Sequence, residues 1–500
     1  MLLDSTLGAI SEPLTARRWD RQEIPRQISR RFAYYVSRGL SRGDRVFLHY
    51  GNRLEFFVDL LAIWKAGACA IPIDQRLTPF EVQTLARAAR PRFSLWCTEP
   101  DPSIPVEALD SRAAAAHAIE LPAAPDPLFL EQDALILFTS GTTGQPKGVV
   151  HTHRSLLARW ITLRQSLGIE RFRRTFCLLP THFGHGLICN CLYPWLSGCD
   201  LFIVPPFQTD VVTGLGRLLD EHDITFLSSV PSVWRLALKA ARPPSKRTVE
   251  RICCGSAPLS ARIWEQIREW SGCPEVMNSY GITETGSWVA GTSVGPVPAE
   301  DGLIGVGWGS IVKILKTGST AVAPAEADEC APEEPGYVWL NTPALMKGYF
   351  QRDDLTAQVV RDGWFVTGDI GRIDARGYLY LCGREREEIN KGGMKVYPGD
   401  IDAVVEQFED VVDVCTFPYE DAFYGQDIAM AVVLKSGHDT TLRALYQFMR
   451  QRLAAHKMPA RWFVVESIAR TSRGKLNRSS VSGSCASLEP VDLRRILGTQ

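Results

Sequence analysis

An α/β fold is predicted for this chain: a large N-terminal domain of helix-covered sheets over residues 1–383, then a small α+β C-terminal domain over 384–500. Three features predict it. Asp44–Tyr50 reads as a strand, Arg53–Ala66 as a helix and Cys69–Ile73 as a second strand, a βαβ unit that favours parallel strands covered by helices. The same alternation returns around Asp200–Val204, Ile224–Val230 and Ala261–Trp270. The run Gly383-Arg384-Glu385-Arg386-Glu387-Glu388 is too charged for a core and marks a boundary. Beyond it lie two further strands, Val411–Phe417 and Ile428–Leu434, and a helix near Leu442–Ala455.

Each element has a local reason. Leu54, Phe57, Val58 and Leu61 recur with helical spacing, and Gly67 closes that helix. Ala134-Leu135-Ile136-Leu137-Phe138 is a short continuous apolar run, as a buried strand requires. Glu99–Pro127 and Thr317–Pro335, rich in Ala, Pro and acidic residues, read as loops. No internal repeat is visible.

Composition narrows the function. Five hundred residues at 45% hydrophobic content bury a large core in more than one domain. With 55 basic and 56 acidic residues there is no excess charge for a nucleic-acid partner. The start, Met1-Leu2-Leu3-Asp4-Ser5, lacks a secretory pattern, and no apolar stretch approaches the ~20 residues of a membrane span. Leu187–Trp195 is the nearest and is too short. Thirteen cysteines without a Cys-x-x-Cys pair are expected as buried reduced thiols in a cytoplasmic protein. His151 and His153 share one face of a strand, but no third metal ligand is nearby. Charge is segregated in the second domain: Asp400–Asp439 is acidic and Arg443–Arg478 basic. That is either a solvated helix face or a surface for an anion arriving from solvent.

The most informative ten residues are 139–148, Thr-Ser-Gly-Thr-Thr-Gly-Gln-Pro-Lys-Gly, which follow the apolar strand. Thr139, Ser140, Thr142 and Thr143 offer hydroxyls to anionic oxygen. Gly141, Gly144 and Gly148 let backbone N–H groups approach a ligand, and Lys147 adds a point charge. This is a phosphate cradle, with a plain surface turn as the alternative. It is not the loop of the nucleotide hydrolases, which needs glycines five apart, then Lys and Ser/Thr at a helix start. Here Pro146 stands five positions after Gly141, and Val149-Val150 continues as strand. No helix dipole is then the main anion anchor.

The loop resembles that of the adenylate-forming superfamily: acyl-CoA synthetases, peptide-synthetase adenylation domains and luciferases. Six further segments match in order. They are Lys65–Asp74, Gly255–Ser260, Asn278–Thr285, Gly363–Asp369, Gly383–Pro398, and Arg470–Arg478 with its Gly474-Lys475-Leu476-Asn477-Arg478.

The resemblance implies a role for each matched residue. Thr139, Ser140, Gly141, Thr142, Thr143, Gly144 and Lys147 would cradle the phosphates of ATP. Gly255, Ser256, Ala257, Pro258, Asn278, Ser279 and Gly281 would lie on the adenine side, with Tyr280 against the base. Thr283 would touch the α-phosphate and Glu284 would hold Mg2+. Asp369 would accept from the ribose hydroxyls, supported by Arg384. Lys475 would bridge the carboxylate and the α-phosphate as their bond forms. Arg386 stands at the hinge about which the small domain swivels, and Gly392 and Gly393 would line the pantetheine tunnel. Taken alone, Lys475 is an exposed lysine among arginines and Gly392-Gly393 a plain turn.

The implied activity is ATP-dependent activation of a small carboxylic acid to an acyl-adenylate, then thioester formation with coenzyme A. The alternatives are loading of carrier-protein phosphopantetheine by a stand-alone adenylation enzyme, an amide-forming relative, and a silent homologue. Retention of Lys475, Glu284 and Asp369 argues against silence.

Leu179-Pro180-Thr181-His182-Phe183-Gly184-His185-Gly186 occupies the place where fatty-acyl and luciferase-type members carry a gating His. That position is Phe183 here, with His182 beside it. The pattern is more similar to aryl-CoA ligases, and the Asp that binds a substrate amine is absent. His182, Phe183, His185 and Trp234 form the expected acyl pocket, with a plain core role as the alternative.

Overall fold

The computed structural model describes all residues except 1–5, 97–98, 119–128, 140–145, 207, 258, 260, 296, 317–328, 385–388, 397, 436–438, 470–477 and 498–500. Among the described residues, the large lobe holds sheets of fourteen and seven strands and the small lobe one of five. Six neighbouring strands of the largest sheet run parallel: Ile10–Glu12, Asp200–Ile203, Arg174–Cys177, Phe226–Ser229, Arg251–Gly255 and Val276–Ile282. In the seven-stranded sheet, Phe93–Trp96, Arg45–His49, Cys69–Pro72 and Asp133–Thr139 are parallel. Nearly every residue along the central strands is buried, whichever face it points to, as a parallel sheet inside an α/β fold requires.

The helix Leu54–Lys65 forms the crossover of the first βαβ unit, and ten of its twelve residues are buried. Its one buried acid, Asp59, accepts from the Tyr35 hydroxyl at 2.6 Å and faces the Arg31 guanidinium. Within Glu99–Pro127, expected as loop, Glu107–Leu109 adds a strand beside Phe93–Trp96, and Ser111–Ala116 is a helix. Asp110 caps that helix, accepting from the Arg112 and Ala113 N–H groups. Alanine is the best helix former and Asp a strong N-cap, so the composition that suggested a loop here makes a capped turn of helix.

The small lobe has its own core around Ile401, Val414, Met430, Leu445 and Trp462. Val411–Asp421 pairs antiparallel with Gly425–Leu434, and Arg461–Val464 joins the latter in parallel. The helix Asp439–Arg450 ends five residues before the expected Ala455. Much of the basic stretch is used internally. Arg478 is paired with Asp402 at 2.7 Å and donates to the Thr416 carbonyl at 2.6 Å, while Arg461 lies over the Tyr419 ring. Ten of the twelve described cysteines are buried, and all twelve are free thiols. No described helix is long and apolar enough to cross a membrane.

Candidate active site

The stem of the phosphate loop is two antiparallel strands, Asp133–Thr139 and Lys147–Thr152, with Thr139 opposite Lys147. Ser140, Gly141, Thr142, Thr143 and Gly144 lie outside the described residues. The short strand Gly348–Tyr349 pairs with Val149 and Val150 beside the stem. Tyr349 then meets two site residues: its ring lies 5.5 Å from Lys147 Nζ, and its hydroxyl donates to Glu284 Oε1 at 2.7 Å.

Glu284 belongs to a single 3-10 turn, Thr283–Thr285, after the strand Val276–Ile282. Two buried side chains grip that turn. His151 Nε2 donates to the Thr283 carbonyl at 2.8 Å, and Arg159 donates to the Thr285 carbonyl at 2.7 Å and the Trp308 carbonyl at 2.9 Å. Burial pushes His151 down to about 4, so its ring is neutral and keeps the Nε2–H donor. His151 Nε2 is engaged by the Thr283 carbonyl, and no group of three or more His, Cys, Asp or Glu placed to hold a metal occurs among the described residues. His151 instead ties the end of the phosphate-loop strand to the turn that carries Thr283 and Glu284. His151→Ala is expected to lower kcat for acid activation about tenfold with little change in KM for the acid, the effect of losing one buried hydrogen bond. Steady-state pyrophosphate exchange checks it.

Among the residues expected to face adenine and ribose, the Tyr280 hydroxyl donates to the Asp369 carboxylate, and both residues are buried. Asp369 N–H donates to Thr367 Oγ1 at 2.9 Å. Arg384 stands opposite Asp369 across the strand pair, its side chain outside the described set along with Pro258. Asn278 Nδ2 donates to the Leu303 carbonyl and Ser279 Oγ to the Cys254 carbonyl; Gly281 follows on the same strand. Gly255 has no alternative: a Cβ there would lie 2.4 Å from the Ser279 carbonyl oxygen. Ser256, before Ala257, has φ of 64°, a left-handed backbone that costs a non-glycine residue energy.

A cavity of about 350 Å³ opens between the lobes. Thr139, His182, Phe183 and Thr283 line it from the large lobe, His456 and Lys457 from the small lobe. His182 Nε2 lies 3.4 Å from Asp74 Oδ2. Burial lowers His182, with Asp74 pulling the other way. For Asp74, burial opposes ionisation, yet His182 and the Arg76 guanidinium hold its carboxyl well below the usual range. Lys457 pairs with Glu81 at 3.2 Å across the seam.

The expected acyl pocket comes together only in part. His182 and Phe183 sit side by side at the cavity. His185 lies deeper, between Ser228 Oγ (2.6 Å) and Ser256 Oγ (2.8 Å). Trp234 is fully buried edge-on against Trp270 and does not reach this cavity, because its helix Pro231–Ala240 packs that side on Ala261–Ser271.

Burial pushes His49, His151 and His153 down to about 4, and His185 and His456 to about 3. These values lie below the unfolded value near 6.5, so protonation favours unfolding. Their stability is fully present above about pH 6.5 and is lost as pH falls towards 4. The melting temperature is expected to drop steadily below about pH 6.5, followed by thermal melts across a pH series.

The small lobe also presents its glycine turn to the large lobe. Ser232 Oγ donates to the Gly392 carbonyl at 2.8 Å, and Gly393 lies against Val230. Arg386 and Lys475 lie outside the described residues.

A large α/β lobe followed by a small α+β lobe with its own core is the two-lobed architecture of adenylate-forming enzymes. The AMP-binding enzyme family matches residues 23–350, and the AMP-binding enzyme C-terminal domain matches residues 400–475; the chain belongs to this family. It is 30% identical to 2-succinylbenzoate–CoA ligase of Geobacillus kaustophilus, covering 88% of each chain. It is 29% identical to oxalate–CoA ligase of Arabidopsis thaliana, covering 89% of each. It is also 29% identical to the fatty acid–[acyl-carrier-protein] ligase ScoC of Streptomyces coeruleorubidus, over 91% of this chain and 90% of that one. Its fold is shared with o-succinylbenzoate–CoA synthetase of Bacillus subtilis at 23% identity and 96% of this chain. The TM-score is 0.84 for a double mutant bound with its product analogue OSB-NCoA and 0.68 for the AMP complex.

Proposed function

We propose that this protein joins a small carboxylic acid to the α-phosphate of ATP, expels pyrophosphate, and passes the acyl group to the thiol of coenzyme A. One observation supports this most: Lys147, Tyr349, Glu284 and the gripped Thr283 turn form one connected group, and Tyr280, paired with Asp369, stands on the strand that leads into that turn. Together they offer a cation, hydroxyls and a carboxylate for the phosphates, and a ring and a carboxylate for the nucleoside.

Two anions must meet in the first step, so catalysis is chiefly electrostatic. Lys475 supplies the neutralising charge between carboxylate and α-phosphate. Glu284, with one oxygen already oriented by Tyr349, suits a hard cation, and it would hold Mg2+, which neutralises phosphate charge when bound. Asp369 takes the ribose hydroxyls with Arg384 beside it. Residues 1–383 and 384–500 act as separate bodies about Arg386, so the lysine acts in one arrangement and the Gly392-Gly393 turn in the other. The seating of that turn on Ser232 and Val230, and the higher superposition score with the product-analogue complex, support the thiol-transfer arrangement here. His182 and Phe183, walling a cavity with apolar Leu77 and Phe138, suit an acid with a flat apolar body. Ten buried thiols support a cytoplasmic setting.

A second acceptor is favoured by one finding: the relative named a fatty acid–[acyl-carrier-protein] ligase is 29% identical over nearly the full length. The test is purified protein with ATP, magnesium and a panel of aryl and short acyl acids. Labelled pyrophosphate exchanges into ATP if adenylation occurs. Addition of coenzyme A then accelerates AMP release; acceleration by a carrier protein alone would move the assignment to carrier loading, and no exchange with any acid would remove it.

A further inference from the structure

Three elements distant in sequence meet where the glycine turn of the small lobe touches the large lobe. Asn390 lies at their centre. Its Oδ1 accepts from Gly393 N–H at 2.8 Å, which fixes the shape of the turn, and its Nδ2 donates to the Ser256 carbonyl at 2.6 Å, which fixes where the turn sits. Ser232, at the start of the helix Pro231–Ala240, donates its hydroxyl to the Gly392 carbonyl. The turn is braced from within its own lobe by the Tyr424 carbonyl, which accepts from Gly392 N–H, and by Gln426 Oε1, which accepts from Asn390 N–H.

Ser256 makes this contact specific. Its left-handed backbone separates the two functions of one residue: the carbonyl meets Asn390, while the hydroxyl meets His185 Nδ1 at 2.8 Å. Strain of this kind persists only where the surroundings over-determine it. A second lobe-to-lobe tie, the ion pair of Lys457 with Glu81, lies beside the cavity; Ser232 is buried and Asn390 half-buried.

We propose that Asn390 and Ser232 are positioning residues for acyl transfer: together they latch the glycine turn onto Ser256 and the Pro231–Ala240 helix, and so select the lobe arrangement in which the thiol attacks. The latch rests on the function proposed above. Ser232 meets no nucleotide-side residue, and Asn390 meets one only at the Ser256 backbone carbonyl, so acid activation, which belongs to the other lobe arrangement, does not depend on the latch. Each single loss removes one hydrogen bond and lowers the docked population about three- to tenfold, the double loss more.

The test uses full-length protein carrying Ser232→Ala, Asn390→Asp or both. Asn390→Asp keeps the acceptor for Gly393 N–H and loses the donor to Ser256, so it separates shape from docking. Three readouts are compared: pyrophosphate exchange, single-turnover transfer from preformed acyl-adenylate to coenzyme A, and the inter-lobe distance distribution. For the last, spin or fluorescence labels are placed through unnatural amino acids at exposed Ile161 and Leu488. Transfer and docked fraction are expected to fall together, about three- to tenfold in each single variant, with exchange and melting temperature unchanged. Ser232→Thr, which keeps the hydroxyl, is expected to restore transfer. Unchanged transfer and distances, or equal loss of exchange and transfer, would overturn the latch. If the unsubstituted protein exchanges no pyrophosphate, the proposed function fails, while the distance measurement still decides whether these two residues hold the lobes together.

Discussion

Replacing Lys475 by alanine is expected to stop adenylate formation while leaving transfer from a supplied acyl-adenylate nearly intact. The carboxylate and the α-phosphate repel each other until a positive charge sits between them. An ammonium delivered only as the bond forms stabilises that moment more than the resting state. Loss of one such preorganised charge costs on the order of 10²–10³ or more in rate. Nucleotide binding is expected to survive, because Tyr280, Asp369 and the Thr283 turn stand in the other lobe. Pyrophosphate exchange measures the first step, and quenched-flow release of AMP from added acyl-adenylate measures the second. Equal loss of both would mean that the lysine supports the fold and not the first reaction.

Gly393→Val is expected to give the mirror image: exchange retained, transfer lowered about a hundredfold. Gly393 has φ of 87°, where a β-branched residue is strongly disfavoured, and its added Cβ would lie 2.8 Å from Val230 Cγ1. The substituted turn must either change shape or lift from the large lobe. Both outcomes would close the route proposed for the thiol, while the phosphate-loop stem stands on other strands. The same pair of assays reads the result. Loss of exchange as well would show that the turn matters before the thiol arrives.

The parts of this molecule that could be read from sequence are those whose physics is local. The Leu54–Lys65 helix and its flanking strands announced themselves by period and by Gly67, and the strand–loop–strand form of the phosphate loop followed from Val149-Val150. The site residues missed act across the fold. Arg159 sits in mid-helix, with no spacing or motif to mark it, and only folding brings it to the Thr285 and Trp308 carbonyls. Tyr349 reaches Glu284 from a two-residue strand that no periodicity reveals. His151 is visible in the sequence, where the want of a third ligand argues against a metal pair with His153, but its partner is a carbonyl more than a hundred positions away that no spacing reveals. For Trp234 the sequence leaves pocket wall and core open for the opposite reason: both ask for the same apolar side chain, and only folding packs it on Trp270.

The buried pairing of Arg478 with Asp402 has a practical corollary. Ile468 is buried in the small-lobe core just before residues 470–477, and Arg478 is pinned just after them, so both ends of that segment are fixed to the same body. Substitutions confined to the stretch between these two anchors are expected to leave the small-lobe core in place, whereas one that removed Arg478 would cost the lobe its footing.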